Sequence, residues 1–215
     1  MGCRPFFFSD WVVDHFFDLD GCNLRSKYLG ILLSATALDE NNGLFPVVFV
    51  AVESESSDTW FWFLQNLLQA FDDNFGNVCF ISDQEKGLYD DMSTLLPDVE
   101  HRALVEKKFK TRYPGDFFER NVWDAAMSFS VPELNKAMNT LYNTSPQAWK
   151  EHHDLKYVWS RSQFKPLSRN HYITNNLSES FNVWVIKARY HPVVDLGDKI
   201  RVKKMEKRKR RRRLG

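Results

Sequence analysis

The sequence predicts an α/β protein: a mixed sheet with element order β-β-β-α-β-α-β, then a helical insertion, then a final helix. Three observations carry this. Apolar runs of strand length, rich in β-branched and aromatic residues, open the chain. A helix-periodic segment follows them. A short, almost wholly apolar run comes next, as a strand buried on both faces requires.

Residues 11–19 read as the first strand and YLGILLSATAL (28–38) as the second. DENNG (39–43) is a turn whose amide, acidic and glycine residues accept positive φ, so LFPVVFVAVE (44–53) is expected to return as the other half of an antiparallel hairpin. Pro46 is tolerable there at a sheet edge or near the start of a strand. SSDTWFWFLQNLLQAFDDN (56–74) reads as a helix capped by Ser57 or Asp58, with Trp60, Leu64, Leu67, Leu68 and Phe71 at helical spacing. NVCFIS (77–82) is the buried strand and ends on Asp83. A helix over 84–97 is stopped by Pro97, and VEHRALV (99–105) is the last strand.

From 105 to about 170 the texture is helical with polar connectors. FFERNVWDAAMS, VPELNKAMNTLYN and SPQAWKEHH each start or form a short helix, and 160–176 reads as loop. LSESFNVWVIKARY (177–190) is amphipathic. Leu177, Phe181, Trp184, Val185 and Ala188 form one stripe, and Glu179 shares another face with Asn182 and Ile186. His191-Pro192 ends it. The expected organisation is a lead-in over 1–18, core over 19–104, helical insertion over 105–174, final core helix over 175–192 and basic tail over 193–215.

The formal net charge of +1 hides an asymmetry. Residues 203–215 hold nine of the 29 basic residues and one of the 28 acids, so the rest of the chain carries a net of −7. The run Lys207, Arg208, Lys209, Arg210, Arg211, Arg212, Arg213 reads as a nuclear localisation signal or a phosphate-binding arm, solvated and disordered by default. Cys3, Cys22 and Cys79 stand too far apart for a CxxC pair and suit a reducing compartment as small core or turn residues. No apolar run approaches membrane-spanning length, the aromatic start lacks the pattern of a signal peptide, and Phe6 stands where a myristoylation signal needs Ser or Thr.

Three acids occupy positions where α/β sites form: Asp20 ending the first strand, Asp83 ending the fourth, and Glu179 off the apolar stripe of the last helix. Asp18 shares a strand face with Asp20, and the residues alone do not separate the two. Alone, Asp20 and Asp83 read first as strand-end caps and turn residues, and Glu179 as an ordinary exposed helix acid. If they converge, they form a set of hard oxygen donors for a pair of Mg²⁺ ions acting in phosphodiester chemistry. The adjacent His152 and His153, with no cysteine nearby, argue against zinc. His101, the aromatics of TWFWF and Trp159 read as packing residues.

GCRPF (2–6), LDGCNLRSKYLGILLSATALDENNGLFPVVFVAVE (19–53), DTWFWFLQNLL (58–68), FISDQEKGL (80–88), LPDVEHR (96–102), RYPG (112–115), VWSRSQF (158–164) and NNLSESFNVWVIKAR (175–189) resemble, in order and spacing, the Mutator-like (MULE) transposases. The resemblance implies an RNase H-like fold with a helical insertion before the last acid, and a DDE triad falling on Asp20, Asp83 and Glu179. It further implies two Mg²⁺ (or Mn²⁺) ions, cleavage and strand transfer of DNA, and a nuclear location. The partners implied are transposon ends, target DNA and a second copy of the chain.

The chain departs from the family pattern in two places. About ten extra residues separate RPF from the first acid, and Leu104 and Lys107 stand nearest to where members carry a Cys-x-x-His element. Full transposases also have flanking DNA-binding and zinc-knuckle modules, so the chain is expected to be a truncated or degenerate copy. The alternative expectation is a catalytically inactive, transposase-derived DNA-binding or transcription-regulatory protein.

Overall fold

A computed structural model describes residues 6–7, 16–27, 29–38, 43–71, 78–82, 88–103, 106–113, 115–155, 158–165 and 176–212. The chain divides into two compact units. One comprises residues 1–14, 18–74 and 176–215; the other comprises 15–17 and 75–175. Among the described residues no helix is long and apolar enough to cross a membrane.

The first unit holds β1 (Phe6–Phe7), β2 (Phe16–Asn23, which starts in the second unit), β3 (Ile31–Leu38), β4 (Leu44–Val52) and α1 (Ser57–Ala70). Its strands lie in the order β1-β4-β3-β2, every neighbouring pair antiparallel. β3 and β4 form the expected hairpin. Pro46 is not on an edge strand. It sits where the β3–β4 register slips between Ala35 and Thr36, a bulge that accommodates the missing N–H. β2 ends later than its pattern suggested: Asp18 and Asp20 lie within the strand, which continues to Asn23, while residues 11–15 of the expected strand lie outside the described residues. Leu24 N–H closes the β2–β3 loop on Gly30 O at 2.8 Å. A Cβ on Gly30 would stand 2.6 Å from the Val52 carbonyl oxygen, so only glycine permits this close approach.

Strand alternation gives the sheet two faces. Leu19, Leu33, Ala35, Val48 and Val50 share one and are buried. α1 lies against β4 and buries Trp60, Phe63, Leu64 and Leu67. Its cap is Ser56, one residue earlier than expected, because Ser56 and Thr59 exchange side-chain and backbone hydrogen bonds in a capping box. The opposite face is covered by α7 (Asn176–Trp184), a 3₁₀ turn (Ala188–Tyr190) and α8 (Val193–Arg212), introduced here ahead of α2 to α6. Phe181, Val185, Ala188, Leu196 and Ile200 pack there on Cys22, Leu24, Leu32 and Phe49. The basic run is not a separate tail. Leu196 and Ile200 anchor the first turns of α8, and the helix propagates through the lysines and arginines to Arg212.

The second unit holds β5 (Cys79–Ser82), α2 (Leu88–Leu95), β6 (Glu100–Ala103), α3 (Glu106–Arg112), a π-helical turn (Phe118–Trp123), α4 (Asp124–Met127), α5 (Val131–Thr144) and α6 (Pro146–His153). β5 and β6 are parallel, and the opening of β2 lies beside β5, with the Phe17 ring 5.4 Å from that of Phe80. α5 starts on a Ser130–Glu133 capping box, and Ser145 caps α6. Phe109, Val122, Ala125, Leu134, Leu141, Ala148 and Trp159 form the core of these helices. Trp159 is therefore a packing residue, as its sequence context suggested. The segment after α6 is tied to β6. Glu100 pairs with Arg102 and accepts the Lys165 N–H, while the Arg102 guanidinium lies 3.6 Å from the Phe164 ring centroid.

His101 on β6 is structural. Its Nε2 lies 2.8 Å from Ser82 Oγ, its ring stacks on Tyr89, and Nδ1 is closed to solvent. Burial pushes its pKa from 6.5 down to about 4. The native ring stays neutral where the unfolded one binds a proton. Stability conferred by this group is therefore complete above pH 6.5, falls as the pH drops towards 4, and changes no further below that. Urea unfolding of wild type and His101→Phe across this range should show a steeper acid loss in wild type, amounting to up to roughly 3 kcal/mol.

Candidate functional site

Asp18, Asp20 and Cys22 point to the α7 side of β2, opposite Thr36, Ser34 and Leu32 of β3. Moving along β2 toward Asp18, this row passes from apolar to polar, yet Asp18, Asp20, Ser34 and Thr36 are all buried. The β3 hydroxyls are satisfied across the strand pair: Ser34 Oγ donates to Asp20 O at 3.3 Å and Thr36 Oγ1 to Asp18 O at 3.4 Å.

Two buried carboxylates under a helix need partners, and α7 supplies them. Its first-turn N–H groups have no intrahelical acceptors. Asp18 Oδ2 takes one of them, the Ser178 N–H, at 2.9 Å, doing from a neighbouring strand what an N-cap side chain does locally. One turn later Asn182 Nδ2 donates to Asp20 Oδ2 at 2.8 Å. The spacings agree. Two strand residues advance about 6.6 Å and four helical residues about 6 Å, so β2 and α7 run side by side in step.

Glu179 follows Ser178 in the first turn of α7 and is exposed. Two of the three predicted acids, Asp20 and Glu179, thus stand on neighbouring elements of one unit. Asp83 lies outside the described residues. Of the basic run, Lys207, Arg208, Lys209, Arg210, Arg211 and Arg212 belong to α8, and Arg213 lies outside the described residues.

Sequence reasoning did not find Asn182 as a partner of Asp20, nor the capping role of Asp18. Asn182 was legible only as a residue on the face of Glu179. Its spacing of four from Ser178 becomes informative once the helix is laid beside β2. Past Cys22 the same pairing continues: Arg189 Nη1 donates to Asn23 O at 3.3 Å, and Arg25 N–H donates to Arg189 O at 2.9 Å. Burial raises the Cys22 thiol to about 11, Arg189 partly offsets this and Asp20 adds to it, so the thiol stays neutral and unreactive at physiological pH.

His152 is a core residue of the helical unit. Its Nδ1 lies 2.6 Å from Ala148 O, its ring centroid is 3.8 Å from that of Phe109, and burial lowers its pKa. His153 instead stacks on Trp149 at 4.5 Å. Among the described residues no group of three or more His, Cys, Asp or Glu side chains is arranged to hold a metal ion.

Residues 16–105 match the family model described as the MULE transposase domain. No curated protein matches the chain.

Asp18→Ala removes the acceptor at the start of α7 and leaves a buried N–H without a partner. Denaturant unfolding should show a loss of about 1–3 kcal/mol. Exposed Glu179→Gln should stay within about 0.5 kcal/mol of wild type.

Proposed function

We propose, from the match of residues 16–105 to the MULE transposase domain model, that the chain is a DDE polynucleotidyl transferase core acting on DNA. Asp20, Asp83 and Glu179 would serve as the metal-holding acids of an RNase H-like fold. The observation that carries this reading is the docking of α7 on β2. Ser178 on Asp18 and Asn182 on Asp20 bracket Glu179 and bring its helical turn beside the first acid. Within the first unit, β2 pairs antiparallel with β3, and within the second, β5 pairs parallel with β6.

The donor set suits magnesium, since all three side chains offer carboxylate oxygens. Bound Mg²⁺ (or Mn²⁺), as two ions, would polarise the phosphodiester and stabilise the attacking and leaving oxygens. The chain's own residues do the positioning. Asn182 fixes one Asp20 oxygen, Asp18 holds the helix carrying Glu179, and the buried hydroxyls of Ser34 and Thr36 pin the strand beneath. The basic run on α8 would hold DNA phosphates and mark the protein for the nucleus. A second copy of the chain is a further proposed partner.

A second reading, a catalytically silent DNA-binding or regulatory protein, rests on Leu104 and Lys107 standing where the family carries Cys-x-x-His, and on the extra residues before β2. Nicking of supercoiled DNA by the purified chain in Mg²⁺ or Mn²⁺ separates the two. Under the first reading, Asp20→Asn, Asp83→Asn and Glu179→Gln each lower the rate by about 100-fold or more. Equal rates for wild type and Asp83→Asn exclude catalysis by this site. Salt-dependent binding without cleavage in either metal supports the silent form.

A further inference from the structure

β2 and α7 start together at the acids and end together at cations. Beyond Asp20, β2 runs to Asn23 and into a loop bearing exposed Arg25 and Lys27. Beyond Glu179, α7 ends at Trp184, and a turn carrying exposed Lys187 leads into the 3₁₀ turn. The two ends are joined. Arg25 N–H donates to Arg189 O at 2.9 Å, Arg189 Nη1 donates to Asn23 O at 3.3 Å, and Arg25 Nη1 donates to Tyr190 Oη at 3.0 Å. Leu24 N–H on Gly30 O closes the loop from inside. The surface is held by backbone bonds and does not rely on flexible side chains alone.

Among the described residues Arg25, Lys27 and Lys187 have no carboxylate partner. Of the nearby α8 acids, Asp198 is turned to Arg201 at 3.9 Å. Exposed and solvated, these cations are free to meet an anionic backbone and make this end of the unit attractive to one. The length is also telling. Asp20 to Asn23 spans about 10 Å, which is roughly three phosphate steps of one strand at about 3.4 Å of duplex axis each.

We infer that Arg25, Lys27 and Lys187 form a phosphate track, contacting the nucleic-acid backbone a few nucleotides to one side of the phosphate that lies on the acids. Arg189 and Tyr190 are its positioning residues. The inference rests on the proposed DNA chemistry and adds a second contact surface, independent of the basic run on α8. It reads charge and spacing and makes no base contacts, so it fixes where the strand runs and adds no sequence preference.

The test is binding of the full chain to a fluorescein-labelled duplex in EDTA, by anisotropy, between about 50 and 200 mM salt. The Arg25→Gln/Lys27→Gln/Lys187→Gln variant should lower the slope of log affinity against log salt by about 2 to 3. Arg25→Lys/Lys27→Arg/Lys187→Arg should keep the wild-type slope. Neutralising Arg120, Lys136 and Lys150, exposed cations of the other unit, should leave it unchanged. Circular dichroism checks that each variant is folded. If the first variant keeps the wild-type slope, or the control variant loses as much, the track is refuted while DNA binding stands. If wild type shows no salt-dependent binding, the DNA reading falls and takes the track with it.

Discussion

The first unit depends on one coincidence of lengths. A strand advances by two residues almost as far as a helix advances by one turn. Asp18 and Asp20 therefore meet Ser178 and Asn182 in succession, and β2 and α7 can be laid alongside each other without loss of register. Every other contact of the face follows from that alignment. Phe181, Val185 and Ala188 fall on Cys22, Leu24, Leu32 and Phe49, and Arg189 reaches the end of β2. A slip of α7 by one residue would turn its apolar stripe away and leave two carboxylates in a dry interface.

That arrangement is costly in isolation, because a buried carboxylate without partners is among the least favourable groups a protein can hold. Here the compensation comes from an element that has donors to give. The N–H groups of a first helical turn point outward and carry partial positive charge, and Asp18 accepts one of them. The same contact thus satisfies the helix and the acid. It also explains why Asp18, the carboxylate with the less obvious role, is the more buried of the two.

The second unit uses a buried ion pair in another way. Glu100 and Arg102 stand two apart on β6 and so share a face. Between them they hold Lys165 and Phe164, which return from the helices. Two segments far apart in the chain, VEHR and VWSRSQF, are thereby locked together. The pair specifies where the returning segment lies more than it adds net stability, since desolvation offsets much of the attraction.

The sequence by itself determined the element types and their order. Periods of two and of 3.6 are local properties, and among the described residues they survived folding with shifted ends. It also marked Asp20 and Glu179 through the blocks that hold them. What it could not determine was which residues meet. Ser56 displaced Ser57 as the α1 cap because only the former exchanges bonds with Thr59. Pro46 found a bulge in place of an edge, because β1 pairs beyond it at Val48 and Phe49. The basic run became helix because Leu196 and Ile200, several residues earlier, are buried. Asp18 and Asp20 were indistinguishable on one strand face. Only tertiary structure gave Asp18 a helix terminus and Asp20 an amide, since a hydrogen bond between residues some 160 positions apart leaves no trace in local spacing.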